Sequence, residues 1–365
     1  MIRKKLTKTL ITGLTLSLIL LTGCGKDKEK ETTEATTQTE AVISIESEDT
    51  MTNPSDITVV TKEGYVLSEL TGEWIDEKLE NQRPLCIMIN NIIDAMPQSG
   101  ISQADITYEM LVEGSITRYM CVFKDYDNIE KLGPVRSSRH YYVEKAHMLG
   151  DLYAHYGWTS FAEEKIYQLG VDNMNGIEGV GNVMYYRDES RYAPHNVYTD
   201  GEMINAGIEY MGYSKEYEDS FQKSFAFNLE DTDLEGGITA SNVTMPFNAY
   251  YTPWFEYDSE AKLYKRFQYD EAQIDQETGE QLAYKNILAI YAPYSPIHDV
   301  LLQIDWYAGG SGYYISNGKA INITWRNENG VVKYYDESGA QLKMNPGKTF
   351  VEVLDSNGSG DVVFE

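Results

Sequence analysis

Basic residues, histidine and cysteine are all scarce in this 365-residue chain. Thirty Lys and Arg stand against 57 Asp and Glu, a formal charge of -27. Such a chain repels nucleic acid, whose binding depends on phosphate neutralisation, and it repels anionic lipid head groups. There are three cysteines and no CxxC pair, so zinc-ribbon and thioredoxin-like chemistry is not indicated. No GxSxG elbow surrounds a serine. No phosphate loop or dinucleotide fingerprint is present: Gly309-Gly310-Ser311-Gly312 lacks the lysine and the helix that would follow it, and reads as a tight turn or bulge. No solenoid-type repeat occurs.

What the chain does have begins at its start. Arg3, Lys4, Lys5 and Lys8 precede an apolar run from Leu10 to Leu21, which ends in Leu21-Thr22-Gly23-Cys24. The run falls short of the roughly 20 apolar residues of a membrane span. Thr12, Thr15 and Ser17 weaken it further. Residues 1–23 therefore read as a signal peptide with a lipobox, and Cys24 as the lipidated N-terminus of the mature chain. Two acyl chains anchor stably where one does not. The expected location is the extracytoplasmic face of the cell membrane, with membrane contact through the N-terminal lipid. The four cations lost with the signal take the formal charge from -27 to -31. Residues 24–60, rich in Lys, Glu, Asp, Thr and Ser, cannot bury a core and read as a disordered acidic tether.

The remainder reads as an α/β (layered α+β) domain over 61–230 followed by a mainly β domain over 240–365. Strands are expected at Leu85–Ile89, Ile106–Val112 and Ile116–Phe123, the last two joined by Glu113-Gly114-Ser115. Helices are expected at Ser138–Leu149, from the N-cap Thr159 to Gly170, and over Asp200–Met211 before Gly212. Asp151–Tyr156 reads as a returning strand. Beyond Ser241, a hairpin turns at Asp258-Ser259-Glu260, and strands follow at 287–291, 300–307, 313–315 and 320–325. Asn317-Gly318, Asn329-Gly330 and Ser338-Gly339 punctuate this half. Cys86 and Cys121 lie in apolar runs and permit one disulfide or two buried thiols in neighbouring strands. The 29 tyrosines mark a compartment rather than a chemistry.

Five of the nine arginines fall between 118 and 191. Arg118, Arg136, Arg139, Arg187 and Arg191 sit in polar clusters, with His155 and His195 nearby. Guanidinium groups hold carboxylate or phosphate through paired hydrogen bonds. One reading is an anion pocket; the other is a set of internal salt bridges, with Arg187 and Arg191 pairing to Asp188, Glu189 or Glu109. Carboxylate pairs for glycoside hydrolysis could be drawn from Asp105, Glu109, Glu113 or Asp188, but 57 acidic residues always supply such pairs. His140 and His147 are two helical turns apart, too far to share one metal ion. No metal or cofactor is indicated.

Several motifs together carry a resemblance. They are Arg83-Pro84 before a strand ending at Asn90, Pro97-Gln98-Ser99-Gly100, Ala104-Asp105, Tyr108-Glu109, Thr117-Arg118, the run Gly133-Pro134-Val135-Arg136-Ser137-Ser138-Arg139, and Ala193-Pro194-His195-Asn196. With the lipobox and tether, they resemble the YerB-like lipoproteins of Gram-positive bacteria, a family of unknown function. The resemblance extends to a C-terminal module with Thr324-Trp325 and Asn345-Pro346-Gly347-Lys348-Thr349. It implies a layered α/β fold, a surface lipoprotein and no established reaction. The candidate ligand-binding set is Asn90, Gln98, Asp105, Glu109, Arg118, Arg136, Arg139, His155, Arg187, Arg191, His195 and Asn196. The expectation is a binding module for an anionic envelope ligand or a membrane-associated protein. The alternative is a cell-envelope hydrolase of phosphodiesters or glycans, with His155 or His195 as general acid/base.

Overall fold

Strands form where apolar, β-branched and aromatic residues run together. β1 (Leu85–Asn91), β2 (Ile106–Leu111) and β3 (Thr117–Phe123) match the expected elements to within two residues. The turn between β2 and β3 places Gly114 and Ser115 at φ of 76° and 61°, the left-handed region that glycine enters without a Cβ penalty. α1 (His140–Leu149) starts two residues later than expected, because Arg139 remains extended at its N-terminus. β4 (Leu152–His155) returns, and α2 (Ser160–Leu169) follows. Thr159 caps α2 by accepting the Ala162 N–H at 3.2 Å, and left-handed Gly170 ends it. β5 (Asn173–Asn175) is a short edge strand that carries no clear sequence signal. α3 (Gly201–Met211) is capped by Asp200, which accepts the Met203 N–H at 2.8 Å, and closes at Gly212.

The structure, a computed structural model, describes residues 61–218, 221–298 and 300–365, and the backbone of Val42–Ile43 and Val59–Val60. Those two short stretches pair antiparallel with each other. The signal peptide, Cys24 and the rest of the tether lie outside the described residues.

The second half adds β6 (Ile238–Thr239), β7 (Asn286–Ala292), β8 (Gly310–Ser316), β9 (Lys319–Glu328), β10 (Val331–Tyr335) and β11 (Thr349–Asp355). These strands join β1 to β5 in one mixed eleven-stranded sheet. Its order is β6-β9-β8-β7-β11-β2-β3-β1-β4-β5, with β10 paired to β9. The two halves therefore share a sheet, fused where β11 runs parallel to β2 with Glu352 opposite Glu109. Thr61 to Glu365 forms one compact unit. The glycine cluster serves β8: a Cβ on Gly312 would lie 2.4 Å from the Ala289 carbonyl oxygen of β7.

Both faces of the sheet are covered, so its central strands read as unbroken apolar runs. One face packs Leu85, Ile87, Tyr119 and Cys121 against Ile204 and Ile208 of α3, and against a six-stranded sheet that includes Trp254–Asp258 and Leu263–Gln268. The other packs Cys86, Met88, Tyr108 and Val122 against α1, α2 and Trp306. Cys86 lies opposite Val122, and Cys121 opposite Ile87. The two thiols thus point to opposite faces of the sheet, and both are free and buried.

Candidate functional site

β1 pairs with β4 only over Leu85–Ile87. Beyond that point the two strands part, and the segment 133–137 takes up the free edge of β1. The Asn90 N–H donates to the Pro134 oxygen, and the Arg136 N–H donates to the Met88 oxygen, both at 2.9 Å. On its other edge, the Val135 N–H donates to the Val197 oxygen at 2.7 Å. Arg118, at the start of β3, lies directly opposite Asn90 in the β1–β3 register. This wedge brings Asn90, Arg118, Arg136, Arg139 and His195 together near the carboxyl ends of β1 and β4. Divergence of strand ends is where open α/β sheets accommodate ligands.

The three arginines differ in their partners. Arg139 is held bidentately by Glu113, at 2.5 Å from Nε and 2.7 Å from Nη2. Burial works against its charge, but Glu113 outweighs it and raises the Arg139 pKa. Arg118 is buried, and its Nη1 donates to the Ser137 carbonyl. Arg136 donates from Nη1 to the Pro194 oxygen at 3.3 Å. Among the described residues, neither Arg118 nor Arg136 has a carboxylate partner, and the buried Nε of each has no hydrogen-bond partner. Burial, then the neighbouring Arg139 and Arg136, push Arg118 down to about 10. Burial and Arg139 also lower Arg136. The internal salt-bridge reading thus holds for Arg139 but not for the other two.

His195 closes one side. Its Nδ1 lies 2.6 Å from Asn90 Nδ2, so it accepts the amide N–H and the ring proton sits on Nε2. Burial and the Arg136 charge lower its pKa. Arg191 and Arg187 frame this loop rather than pair with acids. Arg191 donates to the carbonyls of Ala95 at 2.8 Å and Pro97 at 2.6 Å, and to Gln276 Oε1 at 3.0 Å. Arg187 donates to Asn196 Oδ1 at 2.8 Å and lies over the Tyr156 ring. Two of the three acids considered for them are engaged elsewhere: Asp188 with Lys131 at 2.8 Å, and Glu109 with Arg266.

Four candidates lie apart from this cluster's open side. His155 is fully buried beside Tyr153 and Trp158, donates Nδ1–H to the Gly157 oxygen at 2.9 Å, and is pushed down to about 4 by burial. Asp105, at the opposite end of β2, accepts the Lys124 N–H at 2.7 Å and is raised to about 6, chiefly by burial. Gln98 and Glu109 belong to an internal network. Gln98 donates to the Asn90 oxygen and to Asn91 Oδ1, and accepts from Gln273. Glu109 accepts from Asn91 at 2.9 Å, Thr117 at 2.5 Å and Tyr251 at 2.7 Å, as well as from Arg266.

Sequence reasoning missed Arg266 and Glu352, whose side chains are wholly buried. The guanidinium bridges Glu109 and Glu352 and sits between the Phe255 and Phe350 rings, 4.6 Å from each centroid. A signal existed. In Leu263–Gln268 the inward positions alternate, and Arg266 falls between inward Tyr264 and Gln268. Surface cavities of about 660 and 480 Å³ lie elsewhere, the first beside Glu202 and Asn205, the second beside Arg83, Asp151 and Tyr217.

A layered α/β scaffold with a cationic wedge at parallel strand ends is the class the geometry defines. The chain belongs to the family described as protein of unknown function DUF3048: its N-terminal domain matches residues 70–214 and its C-terminal domain residues 243–351. A curated relative, "Putative lipoprotein YerB" of Bacillus subtilis (strain 168), is 32% identical over 290 residues, covering 78% of this chain and 85% of that protein. The crystal structure of the YerB protein from Bacillus subtilis matches with a TM-score of 0.73 at 29% identity, over 82% of this chain and 99% of that one. The strand-rich, two-part layout agrees with the expected fold class.

Proposed function

We propose that this chain is a membrane-anchored lipoprotein whose folded part binds a small anion between Arg118, Arg136, His195 and Asn90. The name of the Bacillus relative and the Leu21–Cys24 lipobox support the anchor, with the folded part outside the membrane. One observation carries the binding reading. In a chain of net charge -27, two neighbouring guanidinium groups are left without a carboxylate, each with an unpartnered buried Nε. Buried cations are ordinarily paired, because leaving one unpaired costs several kcal/mol. An anion supplied from outside completes the arrangement. The hydrolase alternative loses His155, which is sealed in the interior, and rests on His195 alone.

The test uses full-length protein in detergent, titrated calorimetrically with inorganic phosphate. Arg136→Gln abolishes binding without lowering the melting temperature. Arg118→Met also abolishes it, and raises stability in the absence of phosphate by about 1–2 kcal/mol, because an unpaired buried charge is removed. Unchanged phosphate binding in both variants, or outright unfolding of both, overturns the reading.

A further inference from the structure

The geometry points to a compact anion of one or two charges carried on an apolar or ring-bearing group, such as an organic phosphate monoester, as the ligand of the arginine wedge. This rests on the anion-binding reading above and narrows it. The first argument is charge capacity. Arg118 and Arg136 each lack a carboxylate and a partner for the buried Nε, so the wedge itself offers two positive charges. Asp94 and Arg191 act on His195 with opposite signs; Arg191 is spent on the Ala95 and Pro97 carbonyls and Gln276, and Arg139 is neutralised by Glu113. The third nearby acid, Asp188, is held by Lys131. A ligand with a third or fourth charge would extend into the field of a chain at -27. At physiological salt that field reaches about 8 Å from each charge, so an extended polyanion is repelled over most of its length.

The second argument is the rim. Three large apolar side chains near the wedge face solvent: Ile93 at 63% exposure, Ile177 at 58% and Tyr192 at 89%. Arg191 ties the loop of Tyr192 to the turn of Ile93 by donating to the Ala95 oxygen. Ile177 lies beside Gly157, where Ser137 of the wedge segment also packs. Isolated exposed apolar residues are ordinary, but these three lie around the wedge in which Arg118 and Arg136 lack a carboxylate. An aromatic ring with a polar tip, such as Tyr192, suits stacking on the ring or apolar body of a ligand whose charged end is held by arginine.

The experiment titrates full-length protein in detergent with inorganic phosphate, phenyl phosphate and long-chain polyphosphate. Phenyl phosphate is expected to bind about fivefold more tightly than inorganic phosphate, as burial of some 40 Å² of apolar surface would give. Its affinity should change less than about threefold between roughly 20 and 200 mM salt, since few counterions are displaced. The surface variant Ile93→Ser/Tyr192→Ser should erase the preference and leave inorganic phosphate binding intact. Equal affinities for the two small phosphates overturn the inference and leave the anion site standing. So does tightest binding to polyphosphate with steep salt dependence. If no phosphate species binds at all, the anion-binding reading itself falls.

Discussion

Replacing Lys145 with methionine should stabilise this protein, and by an amount that depends on pH. Lys145 lies on α1 and is fully buried, with no hydrogen-bond partner for Nζ. Its ammonium faces the rings of Tyr108 and Trp306, at 4.9 and 5.4 Å from their centroids. The titratable groups near it are Cys86 and Asp151, whose Sγ and Oδ2 are 3.0 Å apart. Burial pushes both of these well above their usual values, which disfavours their charged forms. Burial lowers Lys145 from 10.5 to about 7, with only partial compensation from those neighbours. The folded state therefore holds fewer protons here than the unfolded state does. The resulting penalty is largest below the folded pKa and fades as pH rises from about 7 towards 10.5. A fall from 10.5 to about 7 corresponds to at most about 5 kcal/mol, which relaxation and water entry reduce. Methionine fills a similar volume with no charge to desolvate. Urea denaturation at pH 7 should show Lys145→Met more stable than wild type by about 2–4 kcal/mol. The gap should narrow by about 1.5 kcal/mol at pH 8.5, inside the limit of about 1.4 per pH unit for one proton. Comparing the two proteins at each pH cancels the thiols, which begin to titrate in the unfolded chain over the same range. A variant less stable than wild type at pH 7 would refute the reasoning, because it would mean that Lys145 is charged and held by Asp151. A gap independent of pH would refute it equally.

The bridge between the halves should respond asymmetrically. Arg266→Met leaves Glu109 and Glu352 facing each other in the interior and should cost about 3–5 kcal/mol in urea denaturation. Burial, and then Glu109, raise Glu352 well above the usual carboxylate range, which favours its neutral form. Glu352→Gln should therefore stay within about 1 kcal/mol of wild type at pH 7. With Cys86 and Cys121 buried on opposite sheet faces, a thiol reagent should label neither in the native protein and both after denaturation, with no reductant needed. Mass spectrometry reads this directly: rapid native labelling would contradict their burial, and a need for reductant would contradict the assigned faces.

The elements that were legible in sequence are those whose cause is local. Thr159 and Gly170 bracket α2, and Asp200 and Gly212 bracket α3, because a cap needs only a side-chain oxygen at one end and a left-handed residue at the other. The β2–β3 hairpin was legible from Gly114. The pairing of β11 with β2 was not, since a parallel contact between distant strands leaves no local mark. That is why the two halves read as separable while sharing one sheet. For the site, the concentration of arginines was visible, but their division of labour was not. Arg139 takes Glu113, Arg187 and Arg191 fasten loops, and only Arg118 and Arg136 remain open. Which arginine meets an acid depends on β1 parting from β4 and admitting residues 133–137, a tertiary event. His155 was chosen for its chemistry; its strand carries it into the core.

The place of β11 also sets an order of events. It follows the other ten strands of its sheet along the chain, yet it occupies the middle of the sheet, between β7 and β2. Until it arrives, the earlier strands form two fragments with unpaired edges, and neither can close. A chain truncated before Thr349 should thus fail as a whole rather than yield a stable first half. The sheet therefore closes only once Thr349–Asp355 is in place between its two neighbours.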